Sequence, residues 1–217
     1  METPGIDLEE EFETFFGERK GQFRILLDIG AAQGACTIPF LRHNPRGLAI
    51  IVEPNLAMIG QLVEEAQKSG YDNRVLPIAG AVWSQPGLLM LYGRIINEMR
   101  LEKDGSRTSL TGNYGQVGLV YQNASPIGWT ITTTLDHIIS RIQGPISFMK
   151  IDTEGAEHIF LPQTRQETLR RAEYIHLDTH DVSDKNYFAD EWQASDLGKV
   201  MTDAGFVSLG HPLWKRI

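Results

Sequence analysis

The chain is poor in cysteine. Cys36 is the single one among 217 residues, so no internal disulfide can form, and a cytoplasmic, reducing location is the expectation. With no second cysteine and no close histidine pair, a zinc site has no ligand set. No apolar run approaches the ~20 residues that cross a bilayer. The start, Met1-Glu2-Thr3-Pro4, lacks a basic region followed by an apolar one, so no secretory signal is expected. Basic charge is also scarce. Lys and Arg number 20 against 28 Asp and Glu, a net charge of −8. That balance argues against a broad nucleic-acid surface, where phosphates must be neutralised. Repeats, low-complexity tracts and a second domain are absent from the pattern, and residues 1–217 are expected to form one domain.

What is present is a run of apolar residues ending in an acid and a glycine-rich turn: Ile25-Leu26-Leu27-Asp28-Ile29-Gly30-Ala31-Ala32-Gln33-Gly34. A second apolar run, Leu48-Ala49-Ile50-Ile51-Val52, ends in Glu53. This is the layout of a nucleoside-binding βαβ unit, in which the second acid accepts hydrogen bonds from ribose hydroxyls. A dinucleotide site needs Gly-x-Gly-x-x-Gly to seat a pyrophosphate on bare amides. Here the spacing is Gly30-x-x-x-Gly34, with Asp28 just before it, and an acid there repels pyrophosphate. It suits a ligand bearing an amine and a sulfonium, so S-adenosylmethionine is expected rather than NAD.

The remaining pattern alternates short apolar runs with helical periodicity, the mark of an open parallel sheet. Strands are predicted over 24–29, 48–53, 74–78, 146–151, 174–177 and 206–209, with further extended segments at 81–82 and 88–92, a strand near 130–132 and a short final strand over 214–217. Helices are predicted over 7–20, 33–43, 55–69, 134–142 and 190–204, with another starting near Gly155. Leu8, Phe12, Phe15 and Phe16 recur at helical spacing. That face of the N-terminal segment, residues 1–22, either packs on the domain edge or caps the substrate opening. Residues 93–128 are rich in Gly, Ser, Thr and Asn with little periodicity, and read as an irregular active-site insertion whose polar side chains face the acceptor.

One block carries a resemblance. Lys150-Ile151-Asp152-Thr153-Glu154-Gly155-Ala156-Glu157, with Leu27-Asp28-Ile29-Gly30-Ala31, Glu53-Pro54, Ala81-Val82 and Thr134-Leu135-Asp136, resembles the FkbM-type methyltransferase family over residues 24–206. The resemblance implies an α/β, Rossmann-like class I methyltransferase with a mostly parallel seven-stranded sheet, one strand antiparallel, and helices on both faces. It implies S-adenosylmethionine as cofactor and a small-molecule hydroxyl as acceptor. It places Asp28, Gly30, Ala31 and Gly34 around the methionine part, Glu53 on the ribose, and Ala81 and Val82 beside the adenine. The family often has Asn at the position of Gln33, and usually Glu, an aliphatic residue and His where this chain has Asp178-Thr179-His180.

Methyl transfer to a hydroxyl asks for an in-line approach and a proton acceptor. Ligands in such sheets bind beyond the carboxyl ends of the strands, which is where Asp152, Glu154, Asp178 and His180 fall. His180 is the natural base by its ordinary pKa, unless it is a loop histidine bonding only backbone. Asp152 is a candidate to orient the acceptor or take its proton, and Glu154 completes the catalytic set. Glu157 reads as an acid at a helix N-terminal turn. A sharper variant makes Asp152, Asp178 and His180 a magnesium site that chelates paired hydroxyls, in the manner of metal-dependent O-methyltransferases. Competing readings are an amine, protein or nucleic-acid acceptor, an NAD-dependent oxidoreductase, and a silent binding module.

Overall fold

The computed structural model describes residues 8–101, 107–117, 125–180 and 196–217, with side chains described there except within 92–125 and at 127. Its chain order is α1 (Leu8–Glu18), β1 (Ile25–Ile29), α2 (Thr37–His43), β2 (Leu48–Glu53), α3 (Leu56–Lys68), β3 (Val75–Ala79), β4 (Ala81–Val82), β5 (Gly87–Leu101), β6 (Arg107–Val117), β7 (Ser125–Thr133), α4 (Leu135–Arg141), β8 (Ile146–Ile151), α5 (Glu157–Phe160), α6 (Gln166–Leu169), β9 (Ala172–Leu177), α7 (Leu197–Asp203), β10 (Phe206–Ser208) and β11 (Leu213–Arg216). Seven strands form one sheet in the order β10-β11-β9-β8-β1-β2-β3. β11 runs antiparallel to both of its neighbours, and the β9-β8-β1-β2-β3 pairs are all parallel. The expected Rossmann-like sheet with one reversed strand is therefore present.

Alternation along β1 sorts the core into two faces. Leu27 and Ile29 join Ile50, Val52, Met149 and Ile151 beneath α4, α5 and α7. Leu26 joins Ala49, Ile51 and Phe148 beneath α1, α2 and α3. Asp28 shares the side of Leu26 and is wholly buried. Register sets Asp28 beside Lys150 and Lys150 beside His176, so a row of polar groups crosses three adjacent strands under α1 and α2.

α1 is core structure. Phe12 and Phe16 are almost fully buried. The Phe16 ring lies 5.1 Å from that of Phe148 and 5.4 Å from that of Phe40. Each such burial is worth ~1.5–3 kcal/mol, enough to hold a three-turn helix that would not persist alone. α3 begins where Asn55 accepts the amide of Ala57, and α4 where Thr134 accepts that of His137.

Within the span expected to be irregular, residues 93–101, 107–117 and 125–128 are strand instead. β5 pairs with β6 through an unbroken antiparallel register from Leu91↔Val117 to Leu101↔Arg107, and with β7 from Gly87↔Thr132 to Gly93↔Ser125. β4 adds to β7, giving a second sheet in the order β4-β7-β5-β6. Gly, Ser, Thr and Asn have weak or mixed strand preference taken singly, and the ladder of backbone bonds between long partners overrides it. Gly93 lies opposite Gly115, where side-chain alternation vanishes from the sequence. The segments 102–106 and 118–124 of that expectation lie outside the described residues, as do 190–195 of the predicted helix that is seen as α7. Among the described residues, no helix is long and apolar enough to cross a membrane.

Candidate active site

The carboxyl ends of β1, β2, β4, β8 and β9 converge on a cavity of about 320 Å³. The ladder runs on past the strand ends. Gly30 N–H donates to Val52, Asp152 N–H to Ile29, and Asp178 N–H to Ile151. These bonds fix the backbone where the strands give way to turns. Among the expected cofactor residues, Gly30, Ala31, Glu53, Ala81 and Val82 line the cavity. Gly30 has φ +77°, and a Cβ there would sit 1.8 Å from the carbonyl oxygen of Asp152. The glycine is thus required by a backbone crossing between β1 and β8. Glu53 accepts the Asn55 amide at 2.8 Å and the Ala32 amide at 3.0 Å. Burial raises its pKa, and the two amides counter that. It ties the turn after β1 to the turn after β2 while facing the cavity.

Two expected residues lie elsewhere. Asp28 is not on the cavity wall. Strand alternation turns it under α2, where it accepts the Thr37 hydroxyl at 2.6 Å and faces Lys150 Nζ at 3.7 Å. Burial raises its pKa, opposed by Lys150 and Thr37. Gly34, at φ +93°, supports the turn and packs on Leu62. The acid before the turn is therefore matched by an internal lysine.

Asp152, Glu154, Asp178 and His180 all line the cavity, as the sequence predicts. His180 Nε2 is 3.8 Å from Asp152 Oδ1 and 3.6 Å from Glu154 Oε2. One ligand atom from each of Asp152, Asp178 and His180 lies within 4.8 Å of the other two. His180 departs from the expected neutral base. Burial works against its charged form, but Glu157, Glu154 and Asp152 outweigh burial and push the pKa up to about 9. The ring is a cation at neutral pH.

Lys150 and Glu157 are functional neighbours of the site that their sequence setting does not reveal. Lys150 Nζ donates to the Gly30 carbonyl at 2.6 Å and lies 3.1 Å from Asp152 Oδ2. Burial opposes its charge, and Asp152 and Asp28 outweigh burial, so its pKa stands above the usual lysine value. A lysine inside the apolar run Phe148-Met149-Lys150-Ile151 was the available signal, because a buried cation needs partners. Glu157 is wholly buried and bonded to Thr153, Gly155 and His180, beyond any effect of the helix end. Leu8 and Phe12 of α1 also line the cavity, so that helix both packs on the sheet and walls the site.

Among solved structures, the chain is similar to an O-methyltransferase from Bacillus cereus in complex with SAH, at 12% identity and TM-score 0.45 over 81% of this chain and 57% of that one. It is similar to the O-methyltransferase TomG from Streptomyces achromogenes, involved in tomaymycin synthesis and solved with SAM, at 11% identity and TM-score 0.45 over 81% and 56%. A precorrin-6y C5,15-methyltransferase from Geobacter metallireducens matches at 10% identity and TM-score 0.47 over 92% and 71%. The first two matches reach less than two thirds of the length of those proteins. No curated protein matches the chain by sequence. The family model described as the methyltransferase FkbM domain matches residues 28–207, a span that holds the glycine turn, Glu53 and the Asp152 turn, and the chain belongs to the FkbM methyltransferase family.

Proposed function

We propose that this chain moves the methyl group of S-adenosylmethionine to a hydroxyl of a small molecule, a sugar, a glycoside or a polyketide-type product. One observation carries the reading: Asp152, Glu154 and His180 face the same cavity as Gly30, Ala31, Glu53, Ala81 and Val82. Groups that suit an adenosyl donor and groups that suit a hydroxyl thus share one space. In the transfer, the O–CH3 bond forms as the S–CH3 bond breaks, and the electron pair leaves with sulfur to give S-adenosylhomocysteine. The hydroxyl proton passes to a carboxylate, for which Asp152 is best placed. Lys150 holds the other oxygen of that carboxylate and fixes its orientation. His180, a cation beside Asp152, donates to the acceptor oxygen or to Asp152 and keeps the acceptor on axis. The net charge of −8 favours a small-molecule acceptor over nucleic acid. The single cysteine favours a cytoplasmic setting.

The second reading is a divalent metal, favoured by the convergence of Asp152, Asp178 and His180 within 4.8 Å. The two carboxylates fit magnesium, and the imidazole fits it poorly. As a set, the three donors fit manganese better. Such an ion would supply Lewis-acid polarisation of the acceptor hydroxyl, with Asp152 and Asp178 providing oxygens and His180 its Nε2.

Incubation with methyl-labelled S-adenosylmethionine and a panel of sugars, glycosides and macrolide alcohols tests the main reading. Label in a base-stable ether supports it. Label only in amines, protein or RNA replaces the acceptor class. Chelator-treated enzyme, with and without added Mg2+ or Mn2+, separates the second reading. Full activity without metal, unchanged by either ion, ends it.

A further inference from the structure

Glu157 is wholly buried but does not line the cavity. Each of its oxygens serves a different strand end. Oε2 accepts the Thr153 hydroxyl at 2.6 Å and the Gly155 amide at 2.9 Å, both in the turn after β8. Oε1 accepts the His180 amide at 3.0 Å and lies 3.1 Å from His180 Nδ1, in the segment after β9. An acid that merely capped the four-residue helix α5 would need only the first pair. The second oxygen is given over to His180.

The turn it braces is strained. Glu154 has φ +56°, a conformation that a side chain rarely adopts, and Gly155 follows at φ +103°. That turn aims the Glu154 carboxylate at His180 Nε2. With Nδ1 directed at Glu157, the opposite ring nitrogen lies between Glu154 and Asp152 on the cavity wall.

We infer that Glu157 is a positioning residue for methyl transfer, acting through His180: it locks the turn at Glu154 and fixes the imidazole so that Nε2 is presented to the acceptor. The inference rests on the methyl-transfer reading above. A carboxylate is needed because all four donors point at one side chain, and acceptor-only chemistry satisfies them together. Glutamine keeps the shape but offers one oxygen, so either the turn or the ring loses its partner.

The direct test is the imidazole N–H spectrum of protein labelled with 15N-histidine, the His180 signal being identified by its loss in His180→Gln. Wild type is expected to show a His180 Nδ1–H protected from solvent exchange, and Glu157→Gln to lose that protection. An unprotected His180 Nδ1–H in wild type overturns the inference whether or not Glu157→Gln folds. So does protection unchanged in Glu157→Gln.

Kinetics add a second arm, with the acceptor found by the labelled screen. Glu157→Gln is expected to lower kcat about 10²-fold, with KM for S-adenosylmethionine within about threefold. The double variant Glu157→Gln/His180→Gln should fall no further than His180→Gln alone. Losses that multiply overturn the inference. A chain that binds no S-adenosylhomocysteine and labels no acceptor refutes methyl transfer instead, and the ring spectrum still decides whether Glu157 orients His180.

Discussion

Replacing Gly30 with Ala tests whether the cavity is built on the crossing between the turn after β1 and the end of β8. The new Cβ would lie 1.8 Å from the Asp152 carbonyl oxygen and 2.8 Å from its carbon. Both neighbours are backbone, so no side chain can swing away. The positive φ adds ~1–2 kcal/mol of conformational strain. Forcing the backbones apart adds a further ~1–3 kcal/mol, as for an overpacked core. The sum, about 2–5 kcal/mol, is a large share of the ~5–15 kcal/mol that holds an ordinary domain. Relief by movement would also displace the Lys150 contact to the Gly30 carbonyl and with it Asp152. Urea unfolding should therefore show a lower midpoint with little change in slope, and S-adenosylhomocysteine affinity should fall at least tenfold. Gly60→Ala is the control. Gly60 is exposed within α3, with nothing near its would-be Cβ, and alanine there should stabilise by ~0.5–1 kcal/mol. Wild-type stability and affinity in Gly30→Ala would refute the reasoning.

Lys150→Met should destabilise by ~3–5 kcal/mol in urea unfolding, because Asp28 is left buried without its cation. Adding Asp28→Asn should restore much of the loss, and a double variant as unstable as the single would show that the pairing is not the cause. His176 is buried, has no hydrogen-bond partner on either ring nitrogen among the described residues, with Glu11 Oε1 3.5 Å from its Nε2, and is pushed down to about 4 by burial first and then by Lys150. Its unfolded form takes a proton near 6.5, so between about pH 6.5 and 4 the unfolded chain holds more protons, and stability falls as pH is lowered. The loss is about 3 kcal/mol, flat above pH 7, and should be missing from the difference curve of His176→Leu in chelator-treated protein. Asn55→Ala should cost ~1 kcal/mol in the same assay through loss of the α3 cap.

The central strands were legible because each is a run of Val, Ile and Leu buried on both faces and bounded by an acid or a turn, as in Leu48–Glu53. The helix starts at Asn55 and Thr134 were legible because capping is local chemistry. The β6 strand and its pairing with β5 were not, because glycines at 93, 112 and 115 interrupt the alternation that marks a strand, whereas Leu88–Tyr92 of β5 and residues 130–132 of β7 read as extended. The cofactor side of the cavity followed from spacing, apart from Asp28. Strand period groups Asp28 with Leu26 but does not say which helix covers that face, and α2 covers it. The convergence of Asp152, Asp178 and His180 followed from their places at strand ends. The altered proton affinity of His180 did not, because it depends on Glu157, 23 residues away in the chain.

Calorimetric titration of the purified, folded chain with S-adenosylhomocysteine tests the central claim most directly. One molecule should bind per chain, with affinity lost in Glu53→Ala and no heat from NAD. Absence of binding to S-adenosylhomocysteine and to S-adenosylmethionine, or binding indifferent to Glu53, would contradict the assignment of this cavity to the methyl donor.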